Sequence, residues 1–191
     1  MCQFQQFRFP SSDGSSSCYA GAWLPPEEPR GVVQIVHGVG EHIGRYETAA
    51  RFLTRQGFLV CGEDHLGHGN TVQDGRYGAF APQNGWKLVV ADIARLRRIQ
   101  GEKHPGVPYF LLGHSMGSFL TRTYLIDYPG TVDGAILSGT GQEPAPLVAF
   151  GKLLAGLECR RLGYDGVSPL VDRLSRESQS ALVRLGRNLR L

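Results

Sequence analysis

The chain has 191 residues, 41% apolar and 19% charged, with a net charge of +3. That length can build one sizeable core without disulfide staples, and the composition excludes a disordered chain. Residues 1–150 hold 12 Lys and Arg against 13 Asp and Glu, too even a balance for the strong basic face that nucleic acid requires.

The surplus lies at the end, where residues 151–191 hold 8 basic against 4 acidic side chains. Such a basic arm is read as solvated, with contact to anionic lipid as the alternative. Cys2, Cys18, Cys61 and Cys159 are scattered and form no CxxC pair. The opening "MCQFQQFRFPSSDG" is polar and broken by Pro10, unlike a secretory leader. No run approaches the 18 or so apolar residues of a membrane span. The expectation is a cytoplasmic protein with free thiols.

In chain order, "FQQFRF" (4–9) alternates apolar and polar, and "CYAGAWL" (18–24) is a second run. With "SSDGSSS" between them they predict a hairpin. "GVVQIVHG" (31–38) is β-branched and almost wholly apolar, as a strand covered on both faces is. Tyr46, Ala49, Ala50 and Leu53 recur at helical spacing before Gly57, and "FLVCGED" (58–64) is strand-like. From Asn84 a helix is expected to carry Trp86, Val89, Ile93 and Leu96 on one face, with Asp92, Arg95 and Arg98 elsewhere. It ends near "HPG" (104–106).

"VPYFLLG" (107–113) then reads as a buried strand, 116–128 as a helix, and "VDGAILSG" (132–139) as another strand. Beyond residue 143 an apolar helix with a basic end and an irregular "YDGVSPLVDRLS" are expected. Strands alternating with helices predict an α/β fold: a mostly parallel sheet with helices on both faces. Ligands of such sheets sit at the carboxyl ends of the strands. Three polar clusters fall there, "HGVGEH", "EDHLGHGN" and "GHSMG", and they should converge.

Gly113-His114-Ser115-Met116-Gly117 fits G-x-S-x-G, a pattern that says little alone. Its setting says more, because an apolar strand enters it and an amphipathic helix leaves it. A serine on so sharp a turn is presented as a nucleophile, and the helix that follows aims its first amides at developing negative charge. The glycines of "HGVGEH" uncover backbone N–H groups, so the Val39 amide pairs with that of Met116 as a candidate oxyanion hole. His37 and His42 are read as loop anchors, with proton transfer as the alternative. His65 and His68 lack the i, i+4 spacing of a helical zinc motif, and a loop-locking role is preferred to a metal site. No phosphate loop GxxxxGK[ST] occurs, and no cofactor or metal is expected.

"HGVGEHIGRYETAARFLTRQGF", "EDHLGHGNT" and "LLGHSMGSFLTRTYL", in this order, resemble the monoacylglycerol lipase and lysophospholipase branch of the α/β-hydrolase superfamily. The resemblance covers about residues 4–175. It implies an eight-stranded sheet, a lid after the sixth strand, no metal, and Ser115 as nucleophile with Met116 and Val39 as oxyanion donors. The implied activity is serine carboxylic-ester hydrolysis, on a monoacylglycerol or lysophospholipid, with peripheral membrane contact through the lid.

The implied organisation is 1–143 as the first part of the hydrolase core, 144–175 as the start of a lid and 176–191 as an atypical basic tail. The family order is Ser, then acid, then His. No histidine follows Ser115 here, and none of the later acids matches the family position. The expectation is a core incomplete at its C-terminal side, with little turnover by itself. A non-catalytic relative used as a binding module, and a hydrolase of amides or thioesters, remain as alternatives.

Overall fold

The computed structural model describes residues 2–73, 75–163 and 166–174. Strands β1 (Gln3–Pro10) and β2 (Ser17–Leu24) form the expected antiparallel hairpin, with Phe9 opposite Cys18. They are followed by β3 (Gly31–Val36), helix α1 (Glu47–Arg55), β4 (Phe58–Glu63) and helix α2 (Gly85–Lys103). Then come β5 (Tyr109–His114), α3 (Met116–Asp127), β6 (Gly134–Ser138) and α4 (Ala145–Leu162). The sheet order is β1-β2-β4-β3-β5-β6, with β4, β3, β5 and β6 mutually parallel. Of the eight strands that the resemblance implies, six lie among the described residues.

Every residue of β3 is buried, as a central strand with both faces covered must be. On one face α2 and α3 bring Val89, Val90, Ile93, Leu120 and Tyr124 against Val32, Val36, Leu59 and Leu111. On the other, Ala50 of α1 packs with Ile43, Trp23, Val33, Ile35 and Val60. The helices therefore do cover both faces.

Two residues of α2 depart from the expected pattern. Trp86 is 37% exposed, and its indole N–H donates to Thr123 Oγ1 at 3.0 Å. Asp92 is buried, because the turn after β1 brings it donors: Ser11 Oγ at 2.7 Å and the Ser12 N–H at 2.6 Å. A hairpin tied to a helix by a paired carboxylate overrides the simple polar-outside rule. Residues 169–174 are helical where an irregular stretch is expected.

The chain divides into two compact units that part between Gly141 and Gln142. The second contains α4, whose Leu147, Phe150, Leu153 and Leu157 are exposed and whose last turn carries Arg160 and Arg161. The tail 176–191 lies outside the described residues.

In the first unit β6 is the last strand of the sheet among the described residues, and Ile136 is 57% exposed. Leu137, on the opposite face of the same strand, is also exposed. An apolar edge with free backbone groups recruits other strands. Ile136→Lys is therefore expected to reduce self-association, read by light scattering, while changing stability by no more than about 0.5 kcal/mol. Equal scattering from both proteins would remove the edge as its cause.

Candidate active site

Ser115 stands between β5 and α3 with φ 52° and ψ −120°, a positive-φ conformation that few non-glycine residues adopt. Strain of this kind costs about 1–3 kcal/mol and persists only where neighbours fix it. Here they do. The Ser115 N–H donates to Ser138 O of β6 at 2.9 Å. Its carbonyl accepts from the Ser118 N–H at 2.9 Å and from Ser118 Oγ at 2.7 Å.

The flanking glycines are required by close approach. A Cβ on Gly113 would meet Thr121 Oγ1 and the Gly117 carbonyl, and one on Gly117 would fall on the carbonyls of Val36 and His37. The start of α3 therefore lies directly on the end of β3, which no larger residue permits. Gly38 belongs to the same crowded point: a Cβ there would stand 3.2 Å from Ser115 Cβ.

The loop after β3 thus lies against the serine, as the convergence of the strand ends requires. Val39 is exposed and Ser115 and Met116 are half-buried. Among the described residues neither the Val39 nor the Met116 N–H is spent on a backbone or side-chain acceptor. Two free amides beside a strained serine can receive an anion.

The histidines of the motifs take other positions. His37 is fully buried; its Nδ1–H donates to Gly38 O at 2.8 Å, and its Nε2 accepts from the His65 N–H at 3.0 Å. His68 donates from Nδ1 to Leu66 O at 2.9 Å. The His37 and His65 rings stack with centroids 3.9 Å apart. His114 turns its Nδ1 to Ser138 Oγ at 3.2 Å, and His42 is exposed. No histidine ring among the described residues bonds the Ser115 hydroxyl, and no group of three His, Cys, Asp or Glu among them could hold a metal.

Asp64 organises the second loop, accepting from the Ile43 and Asn70 N–H groups, both at 2.7 Å. Thr71 closes it with a bond to Asp64 O.

Two acids escape sequence reasoning. Glu41 Oε2 accepts from the Gly38 N–H at 3.0 Å and from Tyr46 OH at 2.7 Å, while Oε1 faces Arg45 at 3.3 Å. Glu63 is wholly buried, with Oε1 3.2 Å from His65 Nδ1 and Oε2 receiving Gln34 Nε2 at 3.3 Å. The only hint of Glu63 is a carboxylate closing an otherwise apolar strand.

Glu63 and His65 are close but poorly aligned for a hydrogen bond, and burial keeps both uncharged. It pushes the Glu63 carboxyl up to about 8 and His65 down to about 3. It also pushes His37 down to about 2, helped by the neighbouring His65. This contact is a neutral pair, not a salt bridge.

The profile described as serine aminopeptidase, S33, matches residues 27–179. The chain belongs to this family. Over 156 residues it is 36% identical to a monoacylglycerol lipase of Mycolicibacterium smegmatis, covering 76% of this chain and 54% of that protein. Over 115 residues it is 35% identical to the monoglyceride lipase of Homo sapiens, covering 60% of this chain and 36% of the human protein. A carboxyl esterase of Bacillus coagulans superposes with a TM-score of 0.75 at 34% identity, over 85% of this chain and 53% of the esterase. The chain spans about half of these relatives' length, or less. The S33 match and the esterase superposition agree with the α/β-hydrolase fold expected from the motifs.

Two predictions follow from the crowding and burial at this site. Gly117→Ala is expected to cost at least about 3 kcal/mol, measured by denaturant unfolding, because backbone carbonyls cannot yield to the methyl. The second concerns pH. A carboxyl raised from 4.5 to about 8 stabilises the fold fully below pH 4.5 and loses that contribution as pH rises through 8. His37 and His65, depressed from 6.5, contribute stability above pH 6.5 that is lost as pH falls. Between pH 6.5 and 8, therefore, Glu63 should lower wild-type stability by up to about 1.4 kcal/mol per pH unit relative to Glu63→Gln. Parallel stability curves for the two proteins would show that Glu63 does not titrate there.

Proposed function

We propose that this chain carries the nucleophile and the oxyanion hole of a serine carboxylic-ester hydrolase of the monoacylglycerol lipase and lysophospholipase type. The supporting observation is the strained Ser115 set beside two unspent amides, those of Val39 and Met116. Ser115 Oγ attacks the ester carbonyl as its proton leaves to a base. The tetrahedral oxyanion is held by the two N–H groups and collapses to an acyl-serine with loss of the alcohol. Water then releases the fatty acid.

The relatives' names point to a monoacylglycerol as substrate. Residues 144–175 are assigned to the start of a lid. Its helix α4 offers exposed leucines for an acyl chain or a membrane surface and ends in two arginines. No helix among the described residues is long and apolar enough to cross a membrane. A cytoplasmic protein that touches membranes peripherally fits these features.

The base is not among the 191 residues in the family's order, since the last histidine is His114. The chain alone is therefore expected to be slow, several orders of magnitude below a complete triad, with residual rate from the oxyanion donors. A second reading is a hydrolase-like binding module without turnover, since this fold also hosts functions other than hydrolysis.

A fluorophosphonate probe and an activated ester, p-nitrophenyl butyrate, separate the two. Slow labelling and slow acylation that both disappear in Ser115→Ala support the hydrolase. Equal reactivity of wild type and Ser115→Ala would refute it and leave the binding module.

A further inference from the structure

We infer that His37 is a positioning residue for the Val39 amide, and so sets the aim of the anion-binding site; this rests on the function proposed above. The Gly38 carbonyl and the Val39 N–H are two ends of one planar peptide unit and point in opposite directions. His37 Nδ1–H donates to that carbonyl at 2.8 Å. Holding the carbonyl end fixes the rotation of the plane, and with it the direction of the N–H. The preceding plane is fixed as well, because the Gly38 N–H donates to Glu41 Oε2 at 3.0 Å. Gly38 is thus clamped on both sides at the point where it touches Ser115.

The imidazole suits this task better than proton transfer. A carbonyl can only accept and a backbone N–H can only donate, so the partners of His37 admit one tautomer, with the proton on Nδ1 and none on Nε2. A second proton would set Nε2–H against the His65 N–H. Burial and the stacked His65 ring oppose that charge. Both ring nitrogens are engaged and neither bonds the Ser115 hydroxyl. His37 therefore acts through the peptide that follows it.

Asparagine and glutamine divide the two halves of the ring. The amide of His37→Asn stands near Nδ1 and can still donate to Gly38 O. The amide of His37→Gln stands near Nε2 and can serve only the His65 N–H. Acylation by p-nitrophenyl butyrate, less the Ser115→Ala rate, is expected within about threefold of wild type in His37→Asn. It is expected at least about tenfold slower in His37→Gln, since losing one oxyanion donor costs about 100- to 1,000-fold.

The Gly38 carbonyl ¹³C resonance should follow the same order, because it moves downfield when the oxygen accepts a hydrogen bond. A purely packing role would rank the variants by melting temperature instead. In the unsubstituted chain, ring ¹⁵N shifts should show His37 with Nδ1 protonated and Nε2 bare; this needs no variant to fold. The opposite tautomer, or equal Ser115-dependent rates in the two variants, overturns the inference alone. A wild-type rate no higher than that of Ser115→Ala overturns the serine assignment and takes the inference with it.

Discussion

The contact on which the site depends is the seat of Gly117 against the carbonyls of Val36 and His37. It sets the first turn of α3 on the end of β3 at a distance that no side chain tolerates. Only from that seat can β5 turn into α3 within one residue and leave Ser115 at positive φ. The strain is then shared out: β6 takes the serine's N–H, and Ser118 takes its carbonyl twice. The conformation of Ser115 is thus a property of three neighbouring parallel strands and a helix, not of a pentapeptide.

Behind that contact lies a buried polar layer, hydrogen-bonded except where Glu63 meets His65. Tyr109 OH donates to Gln34 Oε1, Gln34 Nε2 reaches Glu63, and Glu63 lies beside His65. The His65 N–H then meets His37, which holds Gly38. Full burial keeps Glu63, His65 and His37 neutral, so the layer orients dipoles without the desolvation cost of charges. Oriented neutral groups beside the loop after β3 are pre-organised: under the proposed function, its amides need not reorganise as charge develops. Asp64, on the neighbouring loop, reinforces this by tying the loops after β3 and β4 together through Ile43 and Asn70.

Much of this was legible in the residues because the signals are local and strong. Unbroken apolar runs gave β3 and β5, helical spacing gave α1, α2 and α3, and "SSDGSSS" gave the hairpin. The strand–turn–helix setting of "GHSMG" located the sharp bend. Asp92 was set apart from the apolar face of α2 and its burial was not foreseen, since its partners Ser11 and Ser12 are some eighty residues away and no periodicity reports them. The helical turn at 169–174 was missed because Gly166 and Pro169 punctuate the segment.

The sequence by itself determined the order and kind of the elements, the family, and the presence of a glycine-flanked serine where a strand gives way to a helix. It did so because period, turn chemistry and small residues act over a few positions. Tertiary structure alone decided which histidine holds which carbonyl, that Glu41 fixes the Gly38 amide, and that Glu63 is buried and uncharged. Those outcomes depend on which groups the fold brings within about 3 Å of one another and on how much water it removes. Neither quantity is written in any single stretch of the chain.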